Sequence, residues 1–162
     1  KRELEVSVSA LYRELEDGMA LEGCCVVDYG CGSGILAVAA LKLGARAALG
    51  VDNDPQALVA TRDNAGRNGI AAAALEVALP GAYDRRAWSQ RSAVVIANIL
   101  AGPLAELSDT LLGLLTPGGS LLLSGLLDTQ AEDLCAHYAG RIALRVASEK
   151  DGWGCLRGTL PE

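Results

Sequence analysis

The stretch Cys24-Cys25-Val26-Val27-Asp28-Tyr29-Gly30-Cys31-Gly32-Ser33-Gly34 decides the fold of this chain. Its first half is a short apolar run, which predicts a buried strand over 24–29. The glycines that follow predict a tight loop, because glycine adopts backbone conformations that other residues avoid. The loop leads into a nearly all-apolar segment, 35–43, which predicts a helix closed by Gly44. A strand, a glycine loop and a helix in this order are typical of an α/β domain.

Strands and helices continue to alternate along the rest of the chain. Further strands are predicted at 47–51, 73–77, 93–97 and 120–124. The segments 142–148 and 153–160 flank Asp151-Gly152 and predict a closing hairpin. The pattern therefore predicts a Rossmann-like, doubly wound sheet of seven strands, mostly parallel, with an antiparallel strand from the C-terminal hairpin. Ligands of such sheets bind beyond the carboxyl ends of the strands.

Helix boundaries and turns are predicted from their own local signals. A helix is expected over 7–17, and Asp54-Pro55 predicts the capped start of another. Residues 79–91 read as a loop, and one helix is expected from Gly102-Pro103 to Leu115. The residues 116–119, Thr-Pro-Gly-Gly, predict a turn.

Length and composition restrict the class of protein. The chain has 162 residues, of which 51% are hydrophobic, so we expect one folded domain over 1–162. Twenty acidic and 14 basic side chains give a net charge of -6. This balance argues against direct nucleic-acid binding, which needs a basic face, and favours a basic partner if the partner is a macromolecule.

The cysteines predict reduced thiols. There are five cysteines and one histidine, with no Cys-x-x-Cys spacing, so neither a zinc site nor a disulfide framework is expected. No apolar run approaches the roughly 18 residues of a membrane span. The charged residues 1–5 are not followed by the apolar core of a signal peptide. We therefore expect a cytoplasmic protein that does not contact a membrane.

The glycine loop is the first candidate binding site. Asp28 stands two residues before Gly30, and a carboxylate there would repel the pyrophosphate of a dinucleotide. S-adenosylmethionine carries an ammonium and a cationic sulfur instead, which a carboxylate attracts. The alternative, a capping role for Asp28 in a simple turn, does not require three alternating glycines. The candidate cofactor-binding residues here are Asp28, Gly30, Cys31, Gly32 and Gly34.

The second candidate site lies at the end of the second strand. Asp52 stands 22 residues after Gly30, where a carboxylate can accept both ribose hydroxyls of a nucleoside. Asn53 follows it and is a further candidate, while Asp54 is assigned to the helix cap. Taken alone, Asp52 would be read as a solvated strand-end cap; the glycine loop makes the binding role the better hypothesis.

The third candidate is Asn98, which follows the fourth predicted strand. Its side-chain oxygen can accept a hydrogen bond from an amine and orient the lone pair toward a methyl donor, so positioning would carry the catalysis. Taken alone, an asparagine at this place is more simply a helix cap or turn residue.

Together, the segments 28–37, 51–57 and 97–104 resemble class I S-adenosylmethionine-dependent methyltransferases. More narrowly, they are similar to the bacterial family that methylates ribosomal protein eleven of the large subunit (PrmA-like), with Asn-Ile-Leu-Ala-Gly-Pro-Leu as the narrowing motif. The resemblance implies cofactor contacts at Gly30, Asp52 and Asn98. It implies methyl transfer to lysine side chains and an N-terminal amine of a ribosomal protein.

The first residues depart from that family. Its members carry a substrate-recruiting domain and a Phe-Gly-Thr-Gly-x-His-x-Thr-Thr stretch before the first strand, and residues 1–9 here match only through Ser9. The resemblance makes the Ser9 hydroxyl a candidate cofactor contact, and a catalytic domain without the recruiting domain is expected. The alternatives are a methyltransferase for another protein or a small molecule, and a cofactor-binding module without activity. An NAD-dependent enzyme is disfavoured by Asp28.

Overall fold

A computed structural model describes residues 2–162, with side chains from Glu5 onward. Its elements within that range follow the predicted alternation. The strands are β1 (Cys25–Tyr29), β2 (Ala47–Val51), β3 (Leu75–Ala78), β4 (Ser92–Asn98), β5 (Leu115–Leu127), β6 (Arg145–Lys150) and β7 (Trp153–Thr159). The helices are α1 (Arg2–Gly18), α2 (Ile35–Lys42), α3 (Pro55–Arg67), α4 (Arg85–Trp88), α5 (Ala101–Glu106), α6 (Ser108–Leu114) and α7 (Ala131–Tyr138).

All seven strands of the described range form one sheet in the order β3-β2-β1-β4-β5-β7-β6. Strands β1 to β5 are parallel, whereas β7 runs antiparallel to both β5 and β6. The predicted fold class is confirmed. The antiparallel strand β7 lies inside the sheet and β6 forms the edge. The order reverses between β1 and β4, which is where ligands bind in open α/β sheets.

Side chains alternate between the two faces of the sheet, and each face has its own core. Val26, Ile96 and Leu122 pack under α1 and α2. Their neighbours in the strands, among them Val27 and Val95, face the layer formed by α5, α6 and α7. Because both faces are covered, the central strands β1 and β4 are mostly apolar, as parallel strands usually are, and Asp28 is the buried charged residue in β1.

Two predicted elements differ from the observed ones because of side-chain contacts. The segment 79–91 is not wholly loop, since α4 begins where the Asp84 carboxylate accepts a hydrogen bond from the Arg86 amide. The single helix predicted after Gly102 is broken at Leu107 into α5 and α6. Near the break, the Leu104 carbonyl accepts a 2.6 Å hydrogen bond from the Tyr138 hydroxyl of α7.

The predicted turn at residues 116–119 is a bulge within β5. Leu115 pairs with Ser92 of β4, but the next pair is Ser120 with Val94, so the extra residues loop out of the ladder. Leu160 holds the bulge in place: its carbonyl accepts a hydrogen bond from the Gly118 amide, and its amide donates to the Gly119 carbonyl.

No helix in the described range is long and apolar enough to cross a bilayer.

Candidate functional site

The register of three central strands brings the main candidate residues to one edge of the sheet. Tyr29, the last residue of β1, pairs with Val51 of β2 and with Ala97 of β4. The next residue along each strand is Gly30, Asp52 or Asn98. These three residues therefore form a row across the carboxyl ends of β2, β1 and β4, and we call them the strand-end row.

The glycine loop, residues 30–34, is fixed to this edge by its backbone. The amides of Gly30 and Cys31 donate to the Val51 carbonyl at 2.6 and 2.9 Å. Gly30, Gly32 and Gly34 all have positive φ, at 84°, 54° and 81°. A Cβ at Gly30 would lie 2.6 Å from Cγ2 of Ile99, whereas a Cβ at Gly32 would have nothing within 4 Å. The loop is thus packed at its start and open at its middle.

Asp28 lies beneath the glycine loop and is almost completely buried. Its Oδ2 accepts a 3.2 Å hydrogen bond from the amide of Ala37 in the first turn of α2. The capping role weighed against cofactor binding is therefore present in the structure, and it is compatible with a second role toward a cation. Burial raises the pKa of the Asp28 carboxyl to about 7; the Ala37 hydrogen bond opposes this rise and the charge of Asp52 adds to it.

Asp52 is half-buried and is held in place by two backbone amides. Gly32 donates to its Oδ2 and Asp54 donates to its Oδ1, each at 2.9 Å. Asp54 in turn caps α3 by accepting from the Gln56 amide, as predicted. Asn53 is exposed beside this turn. Each Asp52 oxygen keeps lone-pair capacity for a further donor.

Asn98 is the last residue of β4 and is half-buried beside β5. It pairs with Ser124, and a Cβ at the following Gly125 would lie 3.0 Å from Asn98 Oδ1. Gly125 has a φ of 88°, so a side chain there would be both strained and crowded against the Asn98 amide. The glycine at 125 leaves space for the Asn98 side chain.

Ser9 lies in α1 and is not part of the strand-end row. It is exposed in the middle of α1, and it lines a groove of about 330 Å³ with Tyr12, Ile35 and Leu36. The residues that share this groove all come from α1 and α2. A cofactor contact by Ser9 remains a prediction.

Two residues that the sequence analysis left without a role also contact the glycine loop. Thr61 of α3 donates from Oγ1 to the Gly32 carbonyl at 3.0 Å, and Asn64 donates from Nδ2 to the Ser33 carbonyl at 2.8 Å. They stand three residues apart, so they share one face of the helix. The spacing of Thr61 and Asn64 is visible in the sequence, but the loop carbonyls that they contact lie 29 and 31 residues away, so no local pattern indicates the contact.

The Cys31 side chain is buried against Thr61, whose Oγ1 lies 3.4 Å from its Sγ. Burial raises the pKa of this thiol to about 11, with the Thr61 hydrogen bond opposing the rise and Asp28 and Asp52 adding to it. The thiol is therefore protonated at neutral pH and unsuited to act as a nucleophile.

A separate groove of about 770 Å³ lies at the opposite, amino-terminal edge of the sheet. Its lining includes Cys25, Arg46, Glu76 and Arg91. It contains neither the glycine loop nor any residue of the strand-end row. We assign the candidate site to the strand-end row, because ligands of open α/β sheets bind at the carboxyl ends.

The described residues include no group of three or more His, Cys, Asp or Glu side chains placed to hold a metal ion.

Comparison with known proteins identifies the family. The family model described as ribosomal protein L11 methyltransferase (PrmA) matches residues 8–161. The ribosomal protein L11 methyltransferase of Ectopseudomonas mendocina is 52% identical over 150 residues, which are 93% of this chain and 50% of that protein. The protein of the same name from Vibrio cholerae is 50% identical over 150 residues, again 93% of this chain and 50% of that protein. The chain thus spans about half the length of the curated relatives it matches.

A solved structure supports the same assignment. The crystal structure of ribosomal protein L11 methylase from Lactobacillus delbrueckii subsp. bulgaricus matches with a TM-score of 0.82 and 27% identity. The match covers 97% of this chain and 80% of that chain. The resemblance carried by the three motifs is confirmed, and the chain belongs to the ribosomal protein L11 methyltransferase (PrmA) family.

Proposed function

We propose that this domain binds S-adenosylmethionine along the strand-end row and transfers methyl groups to amine groups of ribosomal protein L11. The observation that carries the proposal is the placement of Gly30, Asp52 and Asn98 side by side at the carboxyl ends of β1, β2 and β4. Family membership supports both the cofactor and the acceptor.

The Asp52 carboxylate is suited to accept hydrogen bonds from the ribose hydroxyls of the cofactor. Its two oxygens each accept one backbone hydrogen bond, from Gly32 and from Asp54. A carboxylate has about four acceptor positions, so two remain for a pair of hydroxyl donors. The backbone bonds hold the carboxylate in one orientation before the ligand arrives, which lowers the entropic cost of binding. Asn53 would lie beside the same sugar.

The glycine loop fits the methionine end of the cofactor. The open side of Gly32 lets a ligand approach the backbone without meeting a Cβ. Asp28, directly under the loop, supplies negative charge in its ionised form. A bound cation would lower the pKa of Asp28 and favour that form. This part of the site therefore suits a cationic ligand better than a pyrophosphate.

Asn98 would position the acceptor amine. When bound, the cofactor supplies an electrophilic methyl group on a cationic sulfur. The Asn98 oxygen would accept a hydrogen bond from the amine and fix the direction of its lone pair. Neither Cys31 nor Asp28 is arranged as a general base, since the thiol is buried and protonated and the carboxyl is hydrogen-bonded within the fold. The amine would arrive neutral, and positioning would carry the rate.

The proposed acceptor is a protein amine, lysine or N-terminal. The net charge of -6 suits a basic partner through electrostatic attraction. The relatives are named for ribosomal protein L11, and they are about twice as long as this chain. Methyl transfer by this domain alone is part of the proposal, as is a cytoplasmic location.

The experiment has a binding arm and a transfer arm. Calorimetric titration should give heat with S-adenosylmethionine and none with NAD; the reverse result would contradict the proposal. Methyl-labelled cofactor is then incubated with the domain and purified ribosomal protein L11, with Asp52→Ala as the control with weakened cofactor binding. Label on lysines or the N-terminus supports the proposed acceptor. In a parallel reaction with a cell extract, label only on other proteins or small molecules contradicts it. Binding without any transfer favours a cofactor-binding module.

A further inference from the structure

Helix α3 contacts the glycine loop through two side chains. Thr61 is completely buried, and its hydroxyl donates to the Gly32 carbonyl at 3.0 Å. Asn64, one helical turn further on, donates to the Ser33 carbonyl at 2.8 Å. Two successive carbonyls of the loop are therefore bonded by side chains of one helix face.

Thr61 also fits the shape of the loop. A Cβ at Gly34 would lie 2.6 Å from Cγ2 of Thr61 and 2.8 Å from its Oγ1. The threonine side chain thus fills the space that the glycine leaves open. The hydroxyl fixes the middle of the loop, and the methyl group packs against its end.

Gly32 is consequently bonded through both of its backbone polar groups. Its carbonyl accepts from Thr61, and its amide donates to Oδ2 of Asp52. A change in the orientation of the Gly32 backbone would move the donor that orients the Asp52 carboxylate. Thr61 is thereby connected to Asp52 through a single residue.

We propose that Thr61 and Asn64 are positioning residues, which hold the glycine loop in its ligand-accepting conformation and, through Gly32, orient Asp52. The inference rests on the proposed function, because it assigns these residues to the cofactor site. Three glycines with positive φ leave the loop many alternative conformations, so an unheld loop would populate the binding conformation less often. Apparent affinity falls in proportion to the fraction of competent molecules.

The test compares Thr61→Val with Thr61→Ser. Valine keeps the shape of threonine but lacks the donor, whereas serine keeps the donor. Without cofactor, Thr61→Val should accelerate amide hydrogen exchange at Gly32 about three- to tenfold, and it should weaken S-adenosylmethionine binding by a similar factor, the range of one net hydrogen bond. Thr61→Ser should stay within about twofold of the wild type in both measurements, and Asn64→Ala should behave as Thr61→Val does.

Tyr138→Phe is the matched control, because it removes another buried hydroxyl that donates to a carbonyl, that of Leu104, in the opposite helical layer. It should lower the Tm while leaving Gly32 exchange and cofactor affinity unchanged. If Tyr138→Phe weakens binding as much as Thr61→Val, the effect is general destabilisation and the inference is wrong.

The two proposals fail in different ways. A wild-type domain that does not bind S-adenosylmethionine contradicts the proposed function, and the cofactor role of Thr61 falls with it. Unchanged Gly32 exchange in Thr61→Val contradicts the inference that Thr61 holds the loop, whatever the titration gives. Faster exchange with unchanged affinity also contradicts the inference, since the loop would then be held for another reason.

Discussion

The carboxylate of Asp28, which precedes the glycine loop, accepts a 3.2 Å hydrogen bond from the amide of Ala37, which follows the loop. Ala37 lies in the first turn of α2, whose N-cap is Gly34, a residue without a side chain to supply the cap. Asp28 therefore gives α2 the hydrogen-bond acceptor that its own N-cap lacks. A residue chosen from the sequence for a cofactor also stabilises the fold.

Asp28→Asn should change how stability depends on pH. The carboxyl has a folded pKa of about 7 against an ordinary value of 3.8. Between these two values the folded state binds the proton and the unfolded state releases it. This group's contribution to stability is therefore complete below about pH 4 and is lost as the pH rises through 7, by on the order of 4 kcal/mol. Asparagine keeps an acceptor for Ala37 and does not titrate.

Urea unfolding of both proteins at intervals from pH 5 to pH 8 measures the effect. The free energy of unfolding of Asp28→Asn should rise relative to that of the wild type up to about pH 7, because the unfolded wild type ionises Asp28 while the folded wild type keeps it protonated. Parallel pH profiles of the two proteins would show that folding does not raise the pKa of Asp28.

Asp52→Ala should weaken binding of S-adenosylmethionine about tenfold or more, because hydrogen bonds to a charged group contribute about 1.5–3 kcal/mol. Asp84→Ala is the matched control, since Asp84 also accepts from a backbone amide at a helix start but lies outside the strand-end row. The control should lose about 1 kcal/mol of stability and keep its affinity. Calorimetry gives both Kd values; equal affinity of Asp52→Ala and the wild type would remove Asp52 from the ribose role.

The layout of the sheet was predictable because its signals are local. The apolar run of β1 leads directly into the glycine loop, and Asp54-Pro55 begins α3 as expected. The hairpin turn was also readable, since Asp151 and Gly152 adopt the positive φ values of 53° and 82° that such turns require. The helix α4 was missed because four residues give too little periodicity to detect.

The site was predictable in part, for a related reason. Strand register aligns Gly30, Asp52 and Asn98, and register follows from where the strands end. The contacts of Thr61 and Asn64 with the loop depend on how α3 packs, which no local pattern contains. The burial of Asp28, and with it the raised pKa, likewise depends on the layers above and below the sheet.

Asn98→Ala should lower kcat on the order of a hundredfold, the effect expected when a reacting group is misplaced. The Kd for S-adenosylmethionine should rise less than tenfold, because most of the proposed cofactor contacts lie elsewhere. Asn98→Asp keeps an oxygen acceptor and should retain more activity than Asn98→Ala if the acceptor amine donates to this side chain. Single-turnover methylation of ribosomal protein L11 measures the rates. An Asn98→Ala variant with wild-type kcat would exclude a catalytic role.

Helix α1 is fixed to the sheet by Arg157 of β7, and this contact should be measurable as a coupling energy. Nη1 of Arg157 donates to Oε2 of Glu14 and Nη2 donates to the Gly18 carbonyl, both at 2.9 Å. Both charged side chains are 20% exposed, so solvent screens the pair only in part. A double-mutant cycle with Glu14→Ala and Arg157→Ala should give a coupling of about 1 kcal/mol, smaller in 1 M salt.

Arg157→Lys separates the contribution of the two guanidinium hydrogen bonds from that of the positive charge. Lysine keeps the positive charge, but a single ammonium cannot reproduce the two parallel donors of the guanidinium. The guanidinium group also lies close to the backbone of α1, since a Cβ at Gly18 would lie 2.5 Å from Arg157 Nη1. We therefore expect Arg157→Lys to lose most of the stability that Arg157→Ala loses, as measured by urea unfolding. Full stability of the lysine variant would show that the positive charge alone accounts for the contribution of Arg157, and the Gly18 hydrogen bond would then contribute nothing.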